Sequence, residues 1–340
     1  MHDLRDITII GAGPTGLFGA FYAGMRGASC RLIDNLDHVG GQLTALYPEK
    51  YIFDVAGFPK ILAKDLVQGL ADQAAQFGAP VHLGQKVTGM RRETAGGAPR
   101  FVIVTDGGEY PSRTLLIAGG IGAFTPRALP LKGAEQWAGK GLHDRVLDPQ
   151  VFRGKRVLIV GGGDSAFDWA VNLQGIAKSI LMIHRRDGFR AHQATVDQVH
   201  ALCAAGKMEL RTFWEVRAIA GAAHIERVTI VNNQTKAEET VTLDCVITQL
   251  GFISSLGAIA DWGLEIEKHE IRVNQTMETN IPGIYAAGDI VTYPGKLKLI
   301  ATGVAEASIA VNHAVHFLNP GAKFEPGHSS NMAIFGQKDD

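Results

Sequence analysis

The sequence predicts an α/β fold of two Rossmann-like domains, the second inserted in the first. Three observations carry this expectation. A short apolar run, a glycine loop and a helical stretch occur at Ile7–Arg26 and recur at Arg156–Gln174, each followed by a further strand. The 41 glycines in 340 residues exceed the ~7% of ordinary usage and gather in loops between apolar runs. A later strand-like run, Gly283–Asp289 (GIYAAGD), ends in Gly-Asp well after the second unit has closed.

In chain order, Ile7–Ile10 is short, apolar and β-branched, which favours a strand. The loop Gly11-Ala12-Gly13-Pro14-Thr15-Gly16 follows, then a helix over about Leu17–Arg26 and a strand over Ser29–Ile33 ending at Asp34. A helix is expected over Ala63–Phe77, then short strands, with Thr114–Ala118 closing on Gly119-Gly120. The second unit runs from Arg156–Val160 through Gly161–Ala166 to a helix ending near Gln174, then a strand over Ser179–Ile183. Beyond it the sequence predicts a helix over Thr195–Ala205 and strands near Met208, over Ile225–Val231 and over Val241–Leu250. A last helix over Val304–Phe317 leads into a Pro/Gly-rich tail from Asn319.

Each glycine loop meets three needs: a tight turn, close backbone approach to a pyrophosphate, and close helix–strand packing. The helix that follows places N–H groups and a positive dipole end on the phosphates. Gly11, Gly13 and Gly16 fit, with Thr15 in the same turn, and Asp34 lies 18 residues beyond Gly16. That is near the ~20 at which an acid meets a ribose hydroxyl. In the second loop Gly161, Gly163 and Ala166 take the three structural positions, with Asp164 and Ser165 opening the helix. Its strand ends in His184-Arg185-Arg186, with Arg190 nearby, instead of an acid. Arginines there can pair with a 2′-phosphate, which selects NADP over NAD. Two dinucleotides in one chain imply electron passage between them, and one must then be a flavin.

The formal net charge of −1 gives no reason to expect nucleic acid or a membrane surface. The charged start, Met1–Asp6, does not read as a signal peptide, and no apolar run reaches the ~20 residues of a membrane span. Cys30, Cys203 and Cys245 lie far apart, without the C-x-x-C of a dithiol or metal knuckle. The expectation is a soluble, cytoplasmic protein with no bound metal.

The stretches Gly40-Gly41-Gln42, Gly161–Ala166 with His184–Ala191, and Thr279–Asp289 (TNIPGIYAAGD) together resemble thioredoxin reductase. That resemblance implies FAD on the first loop, NADPH on the second, and Asp289 on the flavin's ribityl chain. Thioredoxin reductases carry a C-x-x-C just before the second loop, whereas Leu142–Lys155 (LHDRVLDPQVFRGK) has no cysteine. Dithiol exchange needs a thiolate, so thioredoxin is not an expected substrate.

Gln42–Pro59 (QLTALYPEKYIFDVAGFP), Gly251–Gly257 (GFISSLG) and the tail around His328-Ser329-Ser330 resemble the thioredoxin-reductase-like ferredoxin–NADP⁺ reductases, over nearly the whole chain. The resemblance implies FAD contacts from Gln42, Val87, Phe124 and Ser330, with Tyr47 and His328 stacking on opposite flavin faces. Tyr47 could instead be a half-buried surface aromatic, Phe124 a seam residue, Val87 a core or backbone contact, and His328 a solvated tail residue. It also implies ferredoxin or flavodoxin as partner and a homodimer; the neighbourhoods of His192, Asp168 and Glu306 show no nucleophile–base arrangement, so no side-chain acid–base catalyst is assigned. The expected domains are an FAD domain of residues 1–119 and 251–340 and an NADP domain of residues 120–250. An NADPH-dependent quinone or disulfide reductase, and a non-catalytic NADP(H)-sensing module, remain as alternatives.

Overall fold

The computed structural model describes residues 3–48, 50–95, 98–146, 148–324, 327, 329–331 and 335, with side chains left undescribed at 95, 98, 99, 123–126, 252–254 and 331. The chain separates into two compact units, Met1–Phe124 with Ser254–Asp340, and Thr125–Ile253. The two crossings run as the short strands Ala123–Pro126 and Phe252–Ser255, which pair with each other.

The first unit is built on β1 (Arg5–Ile10), which pairs in parallel with β2 (Cys30–Ile33) on one side and with Gly108–Ile117 on the other. Gly108–Ile117 changes partners along its length. Its first half pairs antiparallel with Ala98–Thr105, and its last residues pair in parallel with Ile284–Ala286. Ile284–Ala286 is the strand ending in Gly-Asp, so pairing in register with Leu115–Ile117 returns that turn to the end of the sheet that carries the first glycine loop. The sheet is buried where α1 (Pro14–Met25) covers it. Ile7, Ile9, Leu17, Ala20, Leu32 and Leu115 are essentially without exposure. Each large side chain so buried contributes roughly 1.5–3 kcal/mol relative to exposure.

Helix α2 (Gln42–Leu46) and helix α3 (Ala63–Ala75) pack a satellite cluster of Leu43, Ala63, Leu66 and Val67. The second unit has a parallel sheet in the order Leu142–His143, Cys245–Gln249, Arg156–Gly161, Ser179–His184, Glu209–Thr212. Helix α4 (Asp164–Asn172) and helix α5 (Gln193–Ala204) belong to this unit, with Phe167, Ala170 and Val199 in the core. A separate antiparallel sheet is formed by Trp214–Ala220, Arg227–Asn232 and Glu238–Thr242. The chain then returns to the first unit and ends its regular structure in helix α6 (Ile300–Leu318).

Among the element boundaries that differ from the sequence expectation, three have a clear physical reason. Helix α1 starts at Pro14, because proline's fixed φ suits the first helical position. Val241–Leu250 is two strands in two sheets, separated at Asp244. That carboxylate takes the Arg156 backbone N–H at 2.7 Å and its guanidinium at 2.6 and 3.0 Å, and the arginine holds it down to about 2. Helix α6 begins at Ile300, four residues before the expected Val304. The glycine that obscured its first turn, Gly303, is a packing glycine: a Cβ there would stand 2.4 Å from Thr15 Oγ1.

Candidate functional site

In the first unit the chain leaves β1 at Gly11, whose φ of +112° is strained for any residue with a side chain. A Cβ at Gly11 would lie 2.3 Å from the Ala118 carbonyl oxygen, and one at Gly16 would lie 1.9 Å from the Gly11 carbonyl oxygen. These two glycines are therefore required by the fold itself. Gly13 is different. A Cβ there meets nothing nearer than Gly41 Cα at 3.9 Å, an ordinary van der Waals contact, so the fold itself does not demand glycine at this position. The first turn of α1 opens at this point, with its N–H groups lacking intrahelical acceptors.

Asp34, at the end of β2, accepts the Ala12 N–H at 2.6 Å and the Leu36 N–H at 2.8 Å. It braces the glycine loop directly, a role its sequence position did not reveal. Burial pushes its carboxyl up from the ordinary range, and those N–H groups pull it back. Gly84 and Gln85 donate backbone N–H groups to Leu36 and Asp34, each at 2.8 Å, which brings the segment leading to Val87 beside the acid. Val87 itself is half-buried against the main core.

Gln42 opens α2 with its amide nitrogen 3.2 Å from where a Cβ on Gly120 would stand. Tyr47 ends that helix, half-buried, and its phenol is pushed up first by burial and then by the charge of Asp289. Asp289 is itself half-buried and pushed up by burial, against the attraction of Lys296 and Lys298. Thr15 packs between Gly288 and Gly303, where added Cβ atoms would lie 2.9 and 2.4 Å from its hydroxyl. The structure thus gathers the Gly11–Gly16 loop with Asp34, and places Tyr47 within reach of Asp289's charge. Ser330 lies exposed on the short turn Ser329–Asn331, and among the described residues no hydrogen bond joins it to this group. His328 and the Phe124 side chain lie outside the described residues.

The tail's described anchors are within its own unit. Phe335 packs on Phe21 and Phe77 at 5.9 and 5.8 Å between ring centroids, and Lys323 accepts from Arg26 at 2.6 Å.

The second unit repeats the strand–loop–helix turn with different packing. A Cβ at Gly161 would lie 2.5 Å from the Gln249 carbonyl oxygen and 2.9 Å from Ala166 Cβ, so glycine and a small residue are needed there. Gly163 faces open space. A Cβ at Gly162 would lie 2.3 Å from the His184 ring, which therefore rests on the loop. Asp164 accepts the His192 N–H at 2.9 Å, and Arg190 donates its backbone N–H to Gly162 at 2.8 Å, tying residues 190–192 to the loop. Ser165 is half-buried in the first turn of α4.

Burial holds the His184 imidazole below its ordinary value; the Gly188 backbone opposes this, and the charges of Arg185, Arg186 and Arg190 add to it. Those three arginines are exposed, and no hydrogen bond or ion pair joins their guanidinium groups to any described residue. Phe189 locks the turn between them, meeting Phe167 edge-on at 4.8 Å and His184 at 5.6 Å.

Cys30 is buried, which pushes its thiol up to about 11, and burial raises the Cys203 and Cys245 thiols as well. None is activated as a thiolate. Among the described residues there is no cluster of three or more metal-ligating side chains, and no helix long and apolar enough to cross a membrane. Sequence reasoning found no catalytic arrangement around Glu306 and gave it no other role. It is a single acid among the apolar residues of α6, buried, and holds three donors.

A family model described as pyridine nucleotide-disulphide oxidoreductase matches residues 5–314. A Thermus thermophilus protein named ferredoxin–NADP reductase is 49% identical over 334 residues, which are 98% of this chain and 99% of that one. A Halalkalibacterium halodurans protein of the same name is 51% identical over 332 residues, covering 97% and 98%. The crystal structure of thioredoxin reductase from T. acidophilum matches with a TM-score of 0.75 at 26% identity, covering 94% of this chain and 100% of that one. Agreement of this extent settles the ancestry: the chain belongs to the pyridine nucleotide-disulphide oxidoreductase family, with ferredoxin–NADP reductases among its relatives of near-half identity.

Proposed function

We propose that this protein is a ferredoxin–NADP⁺ reductase that binds FAD on its first glycine loop and NADP(H) on its second. One observation carries the reading: near-half identity, over the whole length, to proteins named ferredoxin–NADP reductase. The stretch Leu142–Lys155, cysteine-free and placed before the second loop, agrees with it.

The residues present fit both dinucleotides. The bare backbone of Gly13, which the fold does not itself require, suits a pyrophosphate at the start of α1, where dipole and N–H groups favour negative charge. Asp34 keeps lone pairs for a ribose hydroxyl while bracing the loop, and Asp289 is set for the ribityl chain. Tyr47 offers a ring to one flavin face. The family resemblance adds Gln42, Val87, Phe124 and Ser330 as FAD contacts and His328 as the ring for the other flavin face. When bound, FAD supplies the exchange between a two-electron hydride donor and one-electron carriers.

In the second unit, Gly161, Gly163 and Ala166 admit the NADP pyrophosphate to the start of α4, where Ser165 adds a hydroxyl. Asp164 holds the 190–192 segment in place. Arg185, Arg186 and Arg190, with His184 beside them, hold the 2′-phosphate. The protein's tasks are binding, orientation and shielding, and no side chain is required as acid or base. The protein acts as a cytoplasmic homodimer and takes ferredoxin or flavodoxin as its protein partner.

Anaerobic turnover of the purified protein with NADPH and a panel of acceptors tests this reading. Ferredoxin or flavodoxin should be reduced and thioredoxin should not. Turnover with thioredoxin or with quinones alone would overturn it in favour of a disulfide or quinone reductase. An NADP(H) sensor would turn over nothing.

The thiols give a second expectation. Alkylation with iodoacetamide, or replacement of Cys30, Cys203 and Cys245 by Ser, should leave ferredoxin reduction intact in protein that retains FAD. Loss of activity in such protein would place a thiol in the electron path.

A further inference from the structure

Glu306 sits on α6 with a carboxylate that is 3% exposed, and Lys296 faces it at 2.5 Å with 6% exposure. The carboxylate is fully engaged. Oε2 accepts the Gly288 backbone N–H at 2.7 Å, and Oε1 accepts the Tyr293 hydroxyl at 2.6 Å and the Lys296 ammonium at 2.5 Å. Lys296 also lies over the Tyr293 ring, 5.7 Å from its centroid. Gly288 is the residue immediately before Asp289, and its own Cβ position is closed by Thr15 of the first glycine loop. Asp289 feels the charges of Lys296, Lys298, Glu306 and Glu270, and Lys298 is itself paired with Glu270 at 2.5 Å.

A neutral amide would satisfy the Gly288 N–H as well as a carboxylate does. A buried ion pair is a poor source of stability, because desolvating both charges offsets much of their attraction. Its placement beside the cofactor turn therefore calls for a role that depends on charge. We propose that Glu306 and Lys296 form a positioning and charge-balancing pair for the flavin. Glu306 holds the Gly288–Asp289 turn in place, and the two opposite charges cancel beside the cofactor, so that either one alone would bias its reduction. The inference rests on the flavin assignment above.

Anaerobic measurement of the bound flavin's midpoint potential at neutral pH tests this with three variants. Glu306→Gln keeps a carbonyl for the Gly288 N–H but leaves Lys296 as an uncompensated cation, which favours the electron-rich reduced cofactor. The potential should rise. Lys296→Met leaves Glu306 as an uncompensated anion, and the potential should fall. The double variant should return towards the wild-type value. A purely structural role would not give opposite signs from the two halves of one pair.

Shifts of the same sign, or no shift in either single variant, would overturn the proposal. If Glu306→Gln yields no flavoprotein, Lys296→Met and Tyr293→Phe still decide it. Both remove a donor from Glu306 and should lower the potential, and a rise or no change in both would refute it. Wild-type protein without FAD would instead refute the flavin assignment.

Discussion

Gly13→Val should yield a folded protein that emerges from purification without FAD, its affinity reduced by a factor on the order of 10², or about 2.7 kcal/mol. The expectation separates the three glycines of the first loop by cause. At Gly11 and Gly16 a Cβ would collide with backbone at 2.3 and 1.9 Å, so substitution there damages the fold. At Gly13 a Cβ has 3.9 Å to its nearest neighbour, so the apoprotein accommodates it. The γ-methyl groups of valine then project from the loop at the start of α1, into the space a pyrophosphate needs. Circular dichroism should report native secondary structure while flavin absorption is lost. Normal flavin occupancy in this variant would show that the loop does not carry the cofactor.

Replacing Arg185 and Arg186 together by Ala should abolish most of the preference for NADPH over NADH. In the wild-type protein that preference should be at least about 10-fold in kcat/KM, since one charge-assisted hydrogen bond is worth about 1.5–3 kcal/mol. The three guanidinium groups have no partner among the described residues, so none is needed to hold the fold together. The loss should therefore appear as a raised KM for NADPH with kcat and the NADH parameters nearly unchanged. Stability should be unaffected, because surface substitutions away from packed features usually stay within about ±0.5 kcal/mol. Equal use of both coenzymes by the unmodified protein would contradict the assignment.

The parts of this molecule that were legible in the sequence are those where backbone geometry dictates residue type. Close approach of loop to strand leaves room only for glycine at Gly11, Gly16 and Gly161, and those positions mark both strand–loop–helix turns. The parallel strands around them are buried and read as apolar runs. The antiparallel strands Val87–Ala95, Ala98–Thr105 and Gly108–Ile117 were harder to see as one sheet. Their exposed face carries charges such as the Arg91–Glu109 pair, 2.7 Å apart, which dilute the alternation. Gly303 hid the start of α6, because its packing against Thr15 cannot be inferred from local sequence.

Side-chain roles were legible only in part. Asp34 stands where an acid is expected, yet its bond to the Ala12 N–H follows from the loop's three-dimensional path. Asp164, expected at the cofactor, also braces His192 from 28 residues away, which its sequence position did not reveal. Glu306 gave no signal, since nothing adjacent in sequence pairs with it and its partners Gly288, Tyr293 and Lys296 come from another segment.

The central claim is that electrons pass from NADPH through non-covalent FAD to ferredoxin without a thiol relay. An anaerobic titration of the purified, alkylated protein, followed by its visible flavin absorption, tests this most directly. NADPH should bleach the flavin, and oxidised ferredoxin added afterwards should restore the absorption at two equivalents, because ferredoxin takes electrons singly. An absorption that NADPH leaves unchanged, or a bleached flavin that ferredoxin cannot restore, would contradict the account.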